Sequence, residues 1–263
     1  STGSFGVLKL ASYNSGLGGS NNSIFGKGAG VDLTSGDSNT LIGTSAGANL
    51  TTDSNVVAIG QNAGSTGTTK LTNSVLIGKG ALQAGNQSQN SIVIGTEAGY
   101  SLASTNTNGT VAIGHNSQRS NQTGRYNTGL GYDSLRSNVD GDANTAVGFQ
   151  SLRLFEAASD GEGNNTAVGT YALDNATTGT HNTAVGSYVA RTGTNDLTTG
   201  TGNTLIGSYA ALSSGSAVNE IVIGSGSIGL GDNQTVIGNS GQTHVVFGGD
   251  ALISGSAQST GSF

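Results

Sequence analysis

Residues 165–169 read Asn165-Thr166-Ala167-Val168-Gly169, and residues 182–186 repeat them as Asn182-Thr183-Ala184-Val185-Gly186. The same five residues run from Asn144 to Gly148, and the variant Asn-Thr-Leu-Ile-Gly occupies 39–43 and 203–207. Shorter relatives end at Gly60, Gly78, Gly95 and Gly224. With the closing glycine as register mark, the marks fall at 26, 43, 60, 78, 95, 114, 131, 148, 169, 186, 207, 224 and 238. The intervals are 17, 17, 18, 17, 19, 17, 17, 21, 17, 21, 17 and 14 residues. A spacing that returns to 17 after each longer interval is a structural period with loop insertions, the signature of a solenoid.

The residue before each mark is large and apolar: Ile42, Ile59, Ile77, Ile94, Ile113, Val147, Val168, Val185, Ile206 and Ile223, with Phe25, Leu130 and Ile237 completing the column. Two places earlier stands Thr, Val, Ile or Ser, so β-branched residues alternate with period two, the pattern of a short strand. The glycine marks a tight bend or a φ that a side chain opposes. Three places on, small residues recur, as at Ala29, Ala46, Ala63, Ala98 and Ser117. A run rich in Thr, Asn, Gly and Ser follows and reads as a polar turn. Each unit is therefore expected to be strand, glycine bend, short second strand and polar loop. Stacked units make an all-β parallel solenoid, in which thirteen coils spaced ~4.8 Å apart give a rod of roughly 60 Å.

The unit shows one strong apolar column. A single-chain left-handed β-helix calls for an apolar residue every six positions, and six and twelve places after Ile42 stand Ala48 and Ser54. The expectation is that a coil cannot close a core on itself and buries its column against another copy. One buried Ile or Val stabilises by about 1.5–3 kcal/mol, against an ordering cost of about 1 kcal/mol or more per residue. A lone chain is accordingly expected to be unstable.

Composition removes other classes. The chain has 263 residues, 46 of them glycine, with 9 % charged and 5 % aromatic residues and a net charge of −6. No cysteine is present, which excludes disulfides, thiolate metal sites and cysteine nucleophiles. Nine Lys and Arg are scattered singly, so no basic groove for nucleic acid forms. No apolar run of 18 residues exists to span a membrane as a helix. Methionine is absent and Ser1-Thr2-Gly3-Ser4-Phe5 recurs as Ser259-Thr260-Gly261-Ser262-Phe263. The chain thus reads as a module of a longer fibre, with 1–13 a starting strand or linker, 14–249 the solenoid, and 250–263 a linker onward.

Asn73-Ser74-Val75-Leu76-Ile77-Gly78, and Asn165 to Gly169 followed by Tyr171-Ala172-Leu173, resemble the head repeats of trimeric autotransporter adhesins. They are closer still to the repeats of phage tail-fibre proteins. The resemblance covers about Asn14 to Gly248, with a longer period than is usual in the adhesin heads. It implies a left-handed β-roll with three chains around one axis, the apolar column inside, and no cofactor. It also implies a structural or attachment segment of a fibre on a virion. An adhesin head on a bacterial surface, binding host or matrix, is the alternative. A glycan-hydrolysing tailspike would need paired carboxylates, and an ice-binding solenoid a threonine array; neither pattern recurs here.

Candidate binding residues lie on the outer turns. Phe155, in the first long interval, and the column Tyr171, Tyr188 and Tyr209 are candidate contacts to a host-surface glycan or protein. The tyrosines also suit a ladder that only stiffens the rod. Gly43-Thr44-Ser45-Ala46-Gly47 matches a nucleophile elbow, but its column holds Gly28, Asn62 and Glu97 elsewhere, so Ser45 is a repeat position. Asp140, Asp142 and Asn144 lack the spacing of a calcium loop. His115, His181 and His244 fall at different repeat positions and read as polar surface residues. No catalytic, cofactor or metal residues are assigned.

Overall fold

The structure is a computed structural model that describes residues 19–65, 71–84, 88–102, 109–159, 161–193 and 195–242. Residues 1–13 and 250–263, read above as linkers, and His244 lie outside the described residues. Thirteen three-residue strands form one parallel sheet in chain order. They are β1 (Ser23–Phe25), β2 (Thr40–Ile42), β3 (Val57–Ile59), β4 (Val75–Ile77), β5 (Ile92–Ile94), β6 (Val111–Ile113) and β7 (Thr128–Leu130). There follow β8 (Thr145–Val147), β9 (Thr166–Val168), β10 (Thr183–Val185), β11 (Thr204–Ile206), β12 (Ile221–Ile223) and β13 (Thr235–Ile237). The register is that of the sequence columns: Thr166, Ala167 and Val168 pair with Thr183, Ala184 and Val185. The parallel β-solenoid with coils of about 17 residues is thus present, with no helix among the described residues.

The glycine column is obligatory. From Gly26 to Gly224 the marks have φ between 127° and 145°. A Cβ on Gly131 would lie 2.2 Å from the carbonyl oxygen of Gly148 on the next coil. Successive backbones approach there at a distance only hydrogen allows, as well as in a conformation that disfavours side chains.

Two expectations are corrected. Among the described residues no second strand follows the glycine, only isolated bridges such as Ala211 to Ile228. The chain instead takes left-handed φ at alternate residues, as at Gly169 (136°), Tyr171 (57°) and Leu173 (52°), and its amides bond to adjacent coils. Tyr171 N donates to Phe149 O at 2.9 Å, and Leu173 N to Val189 O at 3.1 Å.

The second correction concerns the core. The column Ile42, Ile59, Ile77, Ile94, Ile113, Val147, Val168, Val185, Ile206 and Ile223 does not line the interior that the chain encloses. It stands on the outer face of the sheet, half-buried to exposed, with Ile206 43 % exposed. The residue one place earlier points in: Leu41, Ala58, Leu76, Val93, Ala146, Ala167, Leu205 and Val222 are all buried. Ala46, Leu50, Ala98, Leu102, Leu152 and Leu173 meet them from the turn side. The coil therefore closes a core within one chain. Leu41 is large where Gly47 opposes it, and a Cβ on Gly47 would come 2.8 Å from the Leu41 side chain. Ala167 is small where Leu173 fills the space.

A buried asparagine ladder runs beside this core. Asn144, Asn165, Asn182 and Asn203 each open a repeat and are almost fully buried. Asn165 Oδ1 accepts from Asn182 N at 3.0 Å, and Asn165 Nδ2 donates to Gly179 O at 2.8 Å. Each amide side chain thus satisfies backbone groups that the short strand leaves unpaired, as buried polar groups require.

Candidate functional site

The outer turn that follows each glycine carries the side chains with chemistry. Its left-handed residues are held by rung-to-rung bonds, as in Tyr188 N to Thr170 O at 2.8 Å and Tyr209 N to Ser187 O at 3.0 Å. Side chains at one column must then stack at the coil spacing.

Tyr171, Tyr188 and Tyr209 do so, and they are half of a longer series. His115 and Tyr132 stack at 5.0 Å between ring centroids, and Tyr132 and Phe149 at 5.3 Å. Phe149 meets Tyr171 edge-on at 5.2 Å. Tyr171 and Tyr188 lie 5.0 Å apart, and Tyr188 and Tyr209 stack at 5.1 Å with planes 4° from parallel. The first three rings stand one residue after their glycine and the last three stand two after. Reading single columns misses this six-ring ladder. Its signal is an aromatic residue within two places of every mark from Gly114 to Gly207.

Phe155 is not on this surface. It is fully buried in the core, at the interior position that Leu33, Leu50 and Leu102 hold on other coils. The insertion in its interval begins after it, so register still turns its ring inward. A Cβ on Gly141 would strike that ring at 2.5 Å. The expectation of a receptor contact at Phe155 is withdrawn.

An arginine column runs beside the rings. Arg119, Arg136, Arg153 and Arg191 all stand five residues after their glycine. Each has an acid: Arg119 Nε lies 3.0 Å from Glu97, and Arg136 Nε 3.8 Å from Asp133. Asp174, whose side chain is wholly buried, bridges Arg153 Nε at 2.7 Å and Arg191 Nε at 3.0 Å. The hydrogen bond to Asp174 holds the Arg153 guanidinium above its ordinary pKa, against the opposing effect of burial. Arg191 also lies over the Tyr171 ring, 4.0 Å from its centroid, a cation–π contact. Each guanidinium lies against a carboxylate, with Arg153 and Arg191 sharing Asp174. The half-exposed pairs add little stability, whereas Asp174 depends on both of its arginines.

The other sequence candidates are structural. Ser45 N donates to Lys27 O, and Ser45 lies on a left-handed turn with φ 55°. Asp140 Oδ1 accepts from Thr123 Oγ1 and Asp142 Oδ1 from Arg125 N, both at 2.7 Å, so these carboxylates join coils. His115 caps the aromatic ladder, and His181 is exposed at a left-handed position where other coils place Asn. No group of three His, Asp or Glu side chains able to hold a metal occurs among the described residues.

No protein-family model and no curated protein matches this chain.

His115 and Tyr209 are the two ends of the ladder; between them the rings stack or tilt, except at the edge-on contact of Phe149 with Tyr171.

Proposed function

We propose that the chain is a structural and attachment segment of a trimeric fibre of the phage tail-fibre kind, carried on a virion, in which three copies pack the outer faces of their sheets together. The observation that carries this reading is the outer column from Ile42 to Ile223. It is a continuous apolar stripe in register along the sheet, and it faces solvent in the single chain. A stripe of this extent on a protein surface marks an interaction face. Only a partner with the same rung spacing can match it coil for coil, and another copy of the chain has that spacing. Since each coil closes its own core, the trimer is not needed to create an interior. It covers a second apolar surface.

Native mass measurement tests the reading: three chains support it, and a single chain overturns it. Val168→Asp combined with Val185→Asp localises the interface, because Ala167 and Ala184, which face the interior, are unchanged. The double variant should dissociate and keep its β circular-dichroism signal. A variant that stays trimeric would place the interface elsewhere. The Asn73–Gly78 unit favours an adhesin head as the second reading; a membrane-anchor barrel encoded downstream in the same gene would decide for it.

A further inference from the structure

The aromatic ladder ends at Tyr209. On the next coil the equivalent position, two residues after Gly224, is Gly226. Tyr209 has Tyr188 against one face, meets no further ring among the described residues, and is 53 % exposed. Small polar groups surround that open face. Ser208 is half-buried and Ser225 exposed on the adjoining coils, and the exposed Asn239 donates its amide to Ser225 O at 2.8 Å. No Lys or Arg occurs between Arg191 and Gln242, whereas Asp196, Glu220 and Asp232 do.

We propose that the outer face of Tyr209 is a stacking platform for one pyranose ring of an uncharged glycan, which lies over Gly226 as the next layer of the ladder. The ladder's own spacing, 5.0–5.3 Å from ring to ring, gives the height of that layer. A saturated six-membered ring fits it. A pyranose turns the C–H groups of one face toward the electron-rich face of the tyrosine. Its hydroxyls point sideways, where Ser225 and Asn239 offer donors and acceptors, while Ser208 Oγ donates to Ser187 O on the preceding coil. No Lys or Arg stands on the described coils from Tyr209 to Gln242, so no cation there pairs with an acidic sugar. The platform extends the attachment reading but lies within one chain, so it does not depend on trimerisation.

Saturation-transfer NMR on the full chain tests the proposal. The probes are methyl β-D-galactopyranoside, methyl β-D-glucopyranoside and methyl α-D-mannopyranoside. At least one should receive saturation on the C–H protons of a single ring face. Tyr209→Asn removes the platform and should abolish that signal. Gly226→Tyr should abolish it too, by laying a protein ring on the Tyr209 face. The backbone allows this change, because Gly226 has φ 64° and Tyr171, Tyr188 and Tyr209 have 56–57° in the same column. An unchanged thermal transition in Gly226→Tyr shows that the fold is kept. Tyr126→Ala, at an exposed residue outside the ladder, should leave the signal intact. Absence of transfer to all three probes, or full transfer to Gly226→Tyr, overturns the proposal. So does a change in native mass on Gly226→Tyr, which would mean that a protein chain covers this face. The native mass of the unsubstituted chain reports on the trimer separately.

Discussion

Replacing Asn165 with alanine should severely damage the solenoid. The side chain makes four bonds. Its Oδ1 accepts from Asn182 N at 3.0 Å and from Asn182 Nδ2 at 3.1 Å, and its Nδ2 donates to Gly179 O at 2.8 Å and Asn144 Oδ1 at 3.2 Å. Asn182 Nδ2 keeps Gly200 O as a partner at 2.9 Å, and Asn144 Oδ1 keeps Asn165 N at 3.0 Å. The Asn182 amide and the Gly179 carbonyl lose their side-chain partner in a buried setting. At about 1–3 kcal/mol for each orphaned backbone group, the loss is about 2–6 kcal/mol. Serine should do better, because Ser74 on another coil performs both duties. Its Oγ accepts from Ser91 N at 3.3 Å and donates to Ser88 O at 3.2 Å. Asn165→Ser should therefore lose about half as much as Asn165→Ala. Urea denaturation gives the global loss, and hydrogen exchange should show the Asn182 amide losing the most protection. Equal losses for Ser and Ala, or an alanine loss under about 1 kcal/mol, would refute the ladder as a source of stability.

Four further outcomes are expected. Gly131→Ala combines a φ of 145° with a Cβ 2.2 Å from Gly148 O and should cost about 2–6 kcal/mol in urea. Gly202→Asn, at φ 73° with its nearest neighbour 3.9 Å away, should be neutral or stabilise by about 0.4–1 kcal/mol. The apolar core divides into one cluster ending at Ala112 and another starting at Leu135, with Ser117, Gln118, Asn121, Gly129 and Ser134 between. Thr110 Oγ1, Asn116 Oδ1 and Asn121 Oδ1 are buried there without a partner. Hydrogen exchange should resolve two cooperative blocks that meet at this seam; one uniform exchange class along the rod would contradict it. Finally, burial raises the Glu156 carboxyl above its ordinary pKa of 4.5, and repulsion from Asp140 adds to this, against the Val139 amide bond. The folded state then holds this proton more tightly than the unfolded one. Its contribution is fully present below the ordinary value and lost as pH rises through the raised one. Glu156→Gln, which keeps an acceptor for Val139 N, should remove that part of the pH dependence of the urea midpoint; an unchanged pH profile would exclude the assignment.

The glycine marks, the 17-residue interval and the β-branched alternation sufficed to read a parallel solenoid in the sequence. Such a repeat fixes which residues fall in one column, whatever the shape of the coil. The columns could not say which side of the strand is inside. Leu41 and Ile42 are both apolar, so alternation marks two faces without ranking them. The coil closes around Leu41 and its column, which Gly47 and Leu173 meet from the turn side, and the column of Ile42 stands outside. Phe155 turned inward because its register, seven residues after its glycine like Leu33 and Leu50, outranked its place near an insertion. The aromatic ladder escaped a column-by-column reading because it shifts by one position between Phe149 and Tyr171. Only the left-handed turn, which brings both positions to the same outer edge, makes those rings neighbours.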